Sequence, residues 1–130
     1  MEYTLGIIKP DAFSQKEEIT KMIAGAGLTI VEHKEIQLTT EQAQAFYEEH
    51  SARPFYNDLC NFIVSGPVLI MKISGDNAIL RFRELIGATN PLEAKDGTIR
   101  KKYGKNIDNN AVHGSDSTAS STRELKMLFA

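Results

Sequence analysis

Several things are scarce in this sequence. A single cysteine, Cys60, makes an internal disulfide impossible and leaves a reducing, cytoplasmic compartment as the expectation. No apolar run approaches the roughly 20 residues that a membrane-spanning helix needs. The opening stretch MEYTLGIIKPDAF lacks a basic segment followed by a long apolar core, so it does not read as a secretory signal. Neither sign of charge dominates: 15 Lys+Arg against 17 Asp+Glu give a net charge of -2. Strong global attraction to DNA or RNA is therefore not expected, and any anion site must be built locally. Repeats and low-complexity tracts are missing, and the 4 prolines and 9 glycines serve as scattered punctuation. What the chain does have is ordinary globular material: 130 residues, 42% hydrophobic and 25% charged, which fits one domain over 1–130.

The apolar pattern suggests the elements. Tyr3 to Ile8 is rich in β-formers and stops before Pro10, as a buried strand does. Ser14 and Glu17 have capping-box spacing, and Ile19, Met22, Ile23 and Ala26 then recur at helical spacing up to Gly27. Leu28 to Leu38 reads as a long strand. Thr39 and Gln42 form a second capping box, opening a helix with Ala43, Phe46 and Tyr47 on its apolar face. A helix after Pro54 carries Phe55, Leu59, Phe62 and Ile63, and Gly66-Pro67 breaks it. Val68 to Ile73 is a central strand. Asp76 is placed to cap a helix bearing Ile79, Phe82, Leu85 and Ile86. Residues 87–112 are polar and irregular, the pattern of a functional loop. Ala111-Val112 is a short apolar pair, and Leu125, Leu128 and Phe129 mark a last helix. The order predicts an α+β sandwich of the split β-α-β type.

Chemistry concentrates near one histidine. His33 and His50 have no chemical framework around them and read as surface residues. His113 precedes Gly114, which removes a side chain beside the imidazole, and then Ser115, Asp116 and Ser117. The hydroxyls and the helix start that follows suit an anion, although a strand-end histidine before a helix cap accounts for the same residues. Lys9 is biased toward extended geometry by Pro10, so a rigid edge can aim its side chain; an exposed lysine before a turn is the commoner alternative. Arg83 borders the apolar stripe of its helix, where it can be partly sheltered or pack its stem on the core while its head stays in water. Arg100, Lys101, Lys102 and Lys105 form a basic cluster that reads as a solvated face. Glu124 lies beside the last helix's apolar stripe. If that helix folds back, its carboxylate can fix one ring nitrogen of His113 and leave the other with a free lone pair; a plain surface glutamate is the alternative.

Six stretches taken together resemble the nucleoside diphosphate kinase family. They are Ile8-Lys9-Pro10-Asp11-Ala12, Arg53-Pro54-Phe55-Tyr56, Ser65-Gly66-Pro67-Val68, Gly87-Ala88-Thr89-Asn90-Pro91, Gly97-Thr98-Ile99-Arg100, and Asn110 through Ser117. They occur in the family's order and spacing across essentially the whole chain. The resemblance implies a ferredoxin-like α/β sandwich with a four-stranded antiparallel sheet, assembled as a homo-oligomer, a hexamer or a tetramer. It implies ping-pong transfer of the γ-phosphate of ATP to a nucleoside diphosphate through a phosphohistidine at His113. Glu124 would orient that ring, with Ser115 close by and Tyr47 near His113 and Lys9. Lys9, Arg83, Arg100 and Thr89 would hold the phosphates. Phe55 would stack on the base opposite Ile107, with Leu59 nearby, and Asn110 would touch the sugar hydroxyl. Mg2+ would bridge the phosphates without direct protein ligands. The segments Ser14 to Glu18 and Lys101 to Tyr103 depart from the common family pattern. They motivate the alternative of a binding module that keeps the fold with weak or no kinase activity.

Overall fold

The computed structural model describes residues 2–48, 51–105 and 110–129. Four strands make one antiparallel sheet: β1 (Glu2–Ile8), β2 (Thr29–Ile36), β3 (Val68–Gly75) and β4 (Val112–Gly114), in the spatial order β2-β3-β1-β4. Among the described residues six α-helices flank it: α1 (Lys16–Gly25), α2 (Thr40–Phe46), α3 (Tyr56–Ile63), α4 (Ala78–Ile86), α5 (Ile99–Tyr103) and α6 (Thr118–Phe129). This is the expected split β-α-β sandwich. No helix among the described residues is long and apolar enough to cross a membrane.

Strand alternation sorts the core into two layers. Ile8, Leu69, Met71, Ile73 and Val112 face one way and pack with Ile19 and Ile23 of α1, Phe82 and Ile86 of α4, and Ile99 of α5. Leu5, Ile7, Val68 and Ile70 face the other way and pack with Ala43 and Phe46 of α2, Cys60 and Ile63 of α3, and Leu128 of α6. His113 pairs with Ile7 across β1 and β4, so it shares the second face, while Val112 and Gly114 take the first. Gly6 and Gly114 are paired neighbours, and both are required. A Cβ on Gly6 would lie 2.9 Å from the Phe82 ring, and one on Gly114 would lie 2.8 Å from Ile86 and 3.0 Å from Phe82. The ring of α4 therefore sits almost on the backbone of the strand that carries His113.

Three local expectations are corrected. Ser14 does not cap α1, because Pro10–Gln15 winds into a 3-10 turn that absorbs it; Gln15 takes the cap position without a side-chain bond. Asp76 does not cap α4 either. The cap residue is Asn77, in left-handed geometry at φ 53°, and the carboxylate that accepts the Ile79 N–H (2.9 Å) belongs to Glu2 on the neighbouring strand. Segment 87–112 is not wholly irregular: Pro91–Glu93 is a 3-10 turn, and Thr98 caps α5 through the Lys101 N–H. The Thr39 capping box forms as expected, with Gln42 bonding back to Thr39 N–H at 2.9 Å.

Candidate active site

The last residues of β1 and the first of β4 lie side by side, and the site grows from that junction. Lys9 has the extended geometry that Pro10 demands (φ -75°, ψ 166°). Its N–H donates to the Ala111 carbonyl at 2.8 Å, and its buried ammonium donates to Asn110 Oδ1 at 2.9 Å. The Asn110 amide in turn donates to the Thr89 carbonyl at 3.3 Å. Ala111 has φ 74°, a left-handed conformation uncommon for a residue with a Cβ. Asp11 Oδ2 accepts the Ala111 N–H at 3.1 Å and so holds the chain in that bend.

Two residues beyond the bend, His113 projects toward α2 and α6. Its Nε2 lies 3.0 Å from Glu124 Oε1. An ionised carboxylate can only accept, so this bond makes Nε2 the donor, and in the neutral ring that leaves the lone pair on Nδ1. Ser115 donates to the same oxygen at 2.8 Å, and the Leu5 N–H reaches Ser115 Oγ at 3.3 Å. Glu124 and Ser115 are both buried, so the bonds run through a water-poor setting where they are strong. The Phe46 ring stands nearly edge-on to the imidazole, with centroids 5.0 Å apart at 74°. Burial, then Cys60 and Glu124, push the Tyr47 hydroxyl well above its ordinary range, so it stays protonated and able to donate.

In front of the imidazole lies a cleft of about 340 Å³. Lys9, Arg83, Arg100, Thr89, Tyr47, Leu59, Phe46, Asp116 and Ser120 line it with His113, Gly114 and Glu124. The Arg100 guanidinium is fixed by the carbonyls of Gly87 (3.1 Å) and Val112 (3.0 Å). Gly87 sits at φ 93°, and a Cβ there would lie 2.7 Å from Thr98 Oγ1, so glycine is needed to bring this carbonyl within reach. The buried Nε of Arg100 has no hydrogen-bond partner among the described residues. Burial, then the charge of Arg83, lower the Arg100 pKa to about 10, leaving it charged at neutral pH. Two like charges held near each other at the edge of a cleft favour an anion between them. Asp116 is held ionised by a bond from Ser120 (2.7 Å), with Arg83 adding to the effect against partial desolvation.

Lys9, Tyr47, Leu59, Arg83, Thr89, Arg100, His113 and Glu124 thus line one cleft. Arg83 is exposed rather than sheltered. Ser115 and Asn110 are buried behind the lining and act through Glu124 and Lys9. Phe55 is 43% exposed, just before α3, and is not part of the lining. Ile107, like His50, lies outside the described residues. Three contributors had been given no role in the chemistry. Phe46 looked like plain core at helical spacing. Asp11 belonged to a matching stretch, but its service to Ala111 crosses 100 positions of sequence. Ser120 had a local signal, because Ser117 Oγ accepts its N–H (3.1 Å) in an N-cap pattern.

Comparison with known proteins agrees over the full length. The sequence profile of the nucleoside diphosphate kinase family matches residues 2–130. The nucleoside diphosphate kinase of Legionella pneumophila (strain Paris) is 52% identical over 98% of this chain and 92% of its own. That of Campylobacter fetus subsp. fetus is 51% identical over 100% of this chain and 96% of its own. Among solved structures, the Aquifex aeolicus nucleoside diphosphate kinase superposes with a TM-score of 0.96 at 37% identity, covering 99% of this chain and 95% of that one.

Proposed function

The chain belongs to the nucleoside diphosphate kinase family and is a phosphotransferase of that kind; from this premise we propose which of its residues carry the reaction. His113 Nδ1 attacks the γ-phosphorus of ATP in line. A nitrogen–phosphorus bond forms as the bond to the bridging oxygen breaks, and ADP leaves with that electron pair. A terminal oxygen of a second nucleoside diphosphate then attacks the same phosphorus, the nitrogen–phosphorus bond breaks, and the lone pair returns to Nδ1. Glu124 keeps Nε2 protonated and offsets the positive charge that grows on the ring during attack. Ser115 fixes the carboxylate, and Lys9, Arg83, Arg100 and the Thr89 hydroxyl receive the phosphate oxygens. Tyr47 donates toward the transferring group. Phe55 offers a ring face to the base, with Leu59 beside it. One aromatic face carries little edge information, which suits exchange among different nucleotides. Asn110, whose side chain bonds Lys9 and the Thr89 carbonyl in the free protein, would exchange one of these bonds for the sugar hydroxyl, and Ile107 would be the base contact opposite Phe55.

The cleft's donors are cationic and hydroxylic, and its two carboxylates, Glu124 and Asp116, are already bonded. That set suits a Mg2+ that would arrive with the nucleotide and take no protein ligand, and it would supply charge neutralisation. Assembly as a homo-oligomer, hexamer or tetramer, belongs to the same proposal; sedimentation mass checks it.

The observation that carries this reading is the His113–Glu124 bond at the back of a cleft lined by Lys9, Arg83 and Arg100. Incubation with γ-labelled ATP and Mg2+ should leave an acid-labile label that a second nucleoside diphosphate removes. A label that persists in His113→Gln places the nucleophile elsewhere, and an unlabelled wild type overturns the reading.

A further inference from the structure

Helix α2 and its cap residue supply two walls of the cleft, Phe46 and Tyr47, yet the helix has only 7 residues. A helix that short does not stand by propensity and must be held by its surroundings. Its start is held by the Thr39 capping box. Its end is held by side chains from two other helices, because the last carbonyls of a helix have no partner inside it. The Tyr56 hydroxyl of α3 donates to the Gln44 carbonyl at 3.2 Å. Arg123 Nη2, from α6, donates to both the Ala45 and the Phe46 carbonyls at 3.1 Å. A guanidinium at the negative end of the helix dipole adds a favourable charge term. Arg123 is also the residue before Glu124, whose carboxylate fixes the imidazole. Consecutive residues of α6 therefore grip the ring's acceptor and the backbone of the aromatic against its side.

We infer that Arg123 is a positioning residue of the phosphotransfer site: it clamps the end of α2 so that Phe46 and Tyr47 keep His113 aimed while Glu124 holds its proton. The inference rests on the proposed role of His113. Lining of the cleft does not include Arg123. Its loss acts on ring orientation, hence on the chemical step, and leaves nucleotide binding at Lys9, Arg83 and Arg100 in place. A small misplacement of a reacting group lowers rate far more than affinity.

The test compares wild type with Arg123→Ala and Arg123→Lys. Two readouts are used: steady-state kinetics, and the carbon-bound proton resonances of the His113 ring, assigned through His113→Gln. The edge-on Phe46 ring displaces those resonances in the folded protein. In Arg123→Ala, kcat should fall roughly ten- to hundredfold, KM should change by less than about twofold, and the His113 resonances should move toward positions of a ring without Phe46 beside it. Arg123→Lys keeps one donor and should recover most of both. Wild-type kcat with unmoved resonances in Arg123→Ala overturns the inference. So does a loss of kcat that Arg123→Lys does not recover while the resonances stay in place. Should Arg123→Ala fail to fold by circular dichroism, Arg123→Gln is read by the same two measures. The two failures are told apart because the ring resonances need no turnover: an inactive wild type sinks the kinase reading, and unmoved resonances in Arg123→Ala sink the clamp.

Discussion

At the back of the cleft, His113 and Ser115 converge on one oxygen of Glu124 beside β1, whereas Arg83 and Thr89 at its front stand in solvent. The cost of ordering the back is met when the chain folds, since Ser115 and Glu124 are buried whether or not a nucleotide is present. The exposed front side chains lose their freedom only on binding. The back should therefore control kcat and the front KM. Arg100 sits between these regimes: two carbonyls already fix it, but its buried Nε has no partner among the described residues.

The sharpest way to break this contrast is at the nucleophile: His113→Gln should reduce phosphotransfer to background while a thermal melt stays close to wild type. Next comes Glu124→Gln, which keeps the shape and loses the charge that offsets the ring's positive charge. We expect kcat to fall roughly hundredfold with KM little changed, read by steady-state kinetics. Arg100→Lys comes third. A point charge replaces a fork, so KM should rise about tenfold. The sign of its pH response is fixed by burial, which disfavours the charged form. That lowers Arg100 to about 10, and it should bring the new ammonium's pKa nearer neutrality. The variant should lose nucleotide affinity as pH rises from 7 to about 9, where wild type stays flat. A pH titration of KM for both proteins distinguishes them. Phe55→Ala should raise KM about threefold and spare kcat, because an exposed aromatic contact contributes around 1 kcal/mol or less. The smallest kinetic effect is expected of Thr39→Ala. Loss of that cap should lower folding stability by about 1 kcal/mol in a denaturant titration and leave KM unchanged.

Much of the fold was legible because its signals are local. Val68 to Ile73 is apolar on both faces, as a strand buried between two helix layers must be, and it is found in β3. The Thr39–Gln42 box needs only residues three apart, and it forms. The Ser14 and Asp76 caps failed for the opposite reason. Each is a sound local pattern that lost to its context, Pro10 winding the preceding turn in one case and Glu2 arriving from another strand in the other. The site divides the same way. Pro10 beside Lys9, and the glycine and hydroxyls after His113, are local signals that also fit plainer readings; only the six stretches taken together grouped the two. Phe46 and Asp11 carry no such signal, since nothing in their neighbourhood distinguishes a core aromatic from an imidazole's wall, or a turn carboxylate from the anchor of Ala111.

By itself the sequence determined the alternation that sends Ile7 to one layer and Ile8 to the other, the helix faces, and the residue types able to carry phosphate chemistry. These depend on periods of two and 3.6 and on the nature of single side chains. Only the tertiary structure decided that Glu124 meets His113, that Gly6 and Gly114 make room for Phe82, and that Arg123 closes the end of α2. Each of these joins atoms on separate elements. Such contacts follow from how the strands register and the layers pack, and no local pattern encodes that.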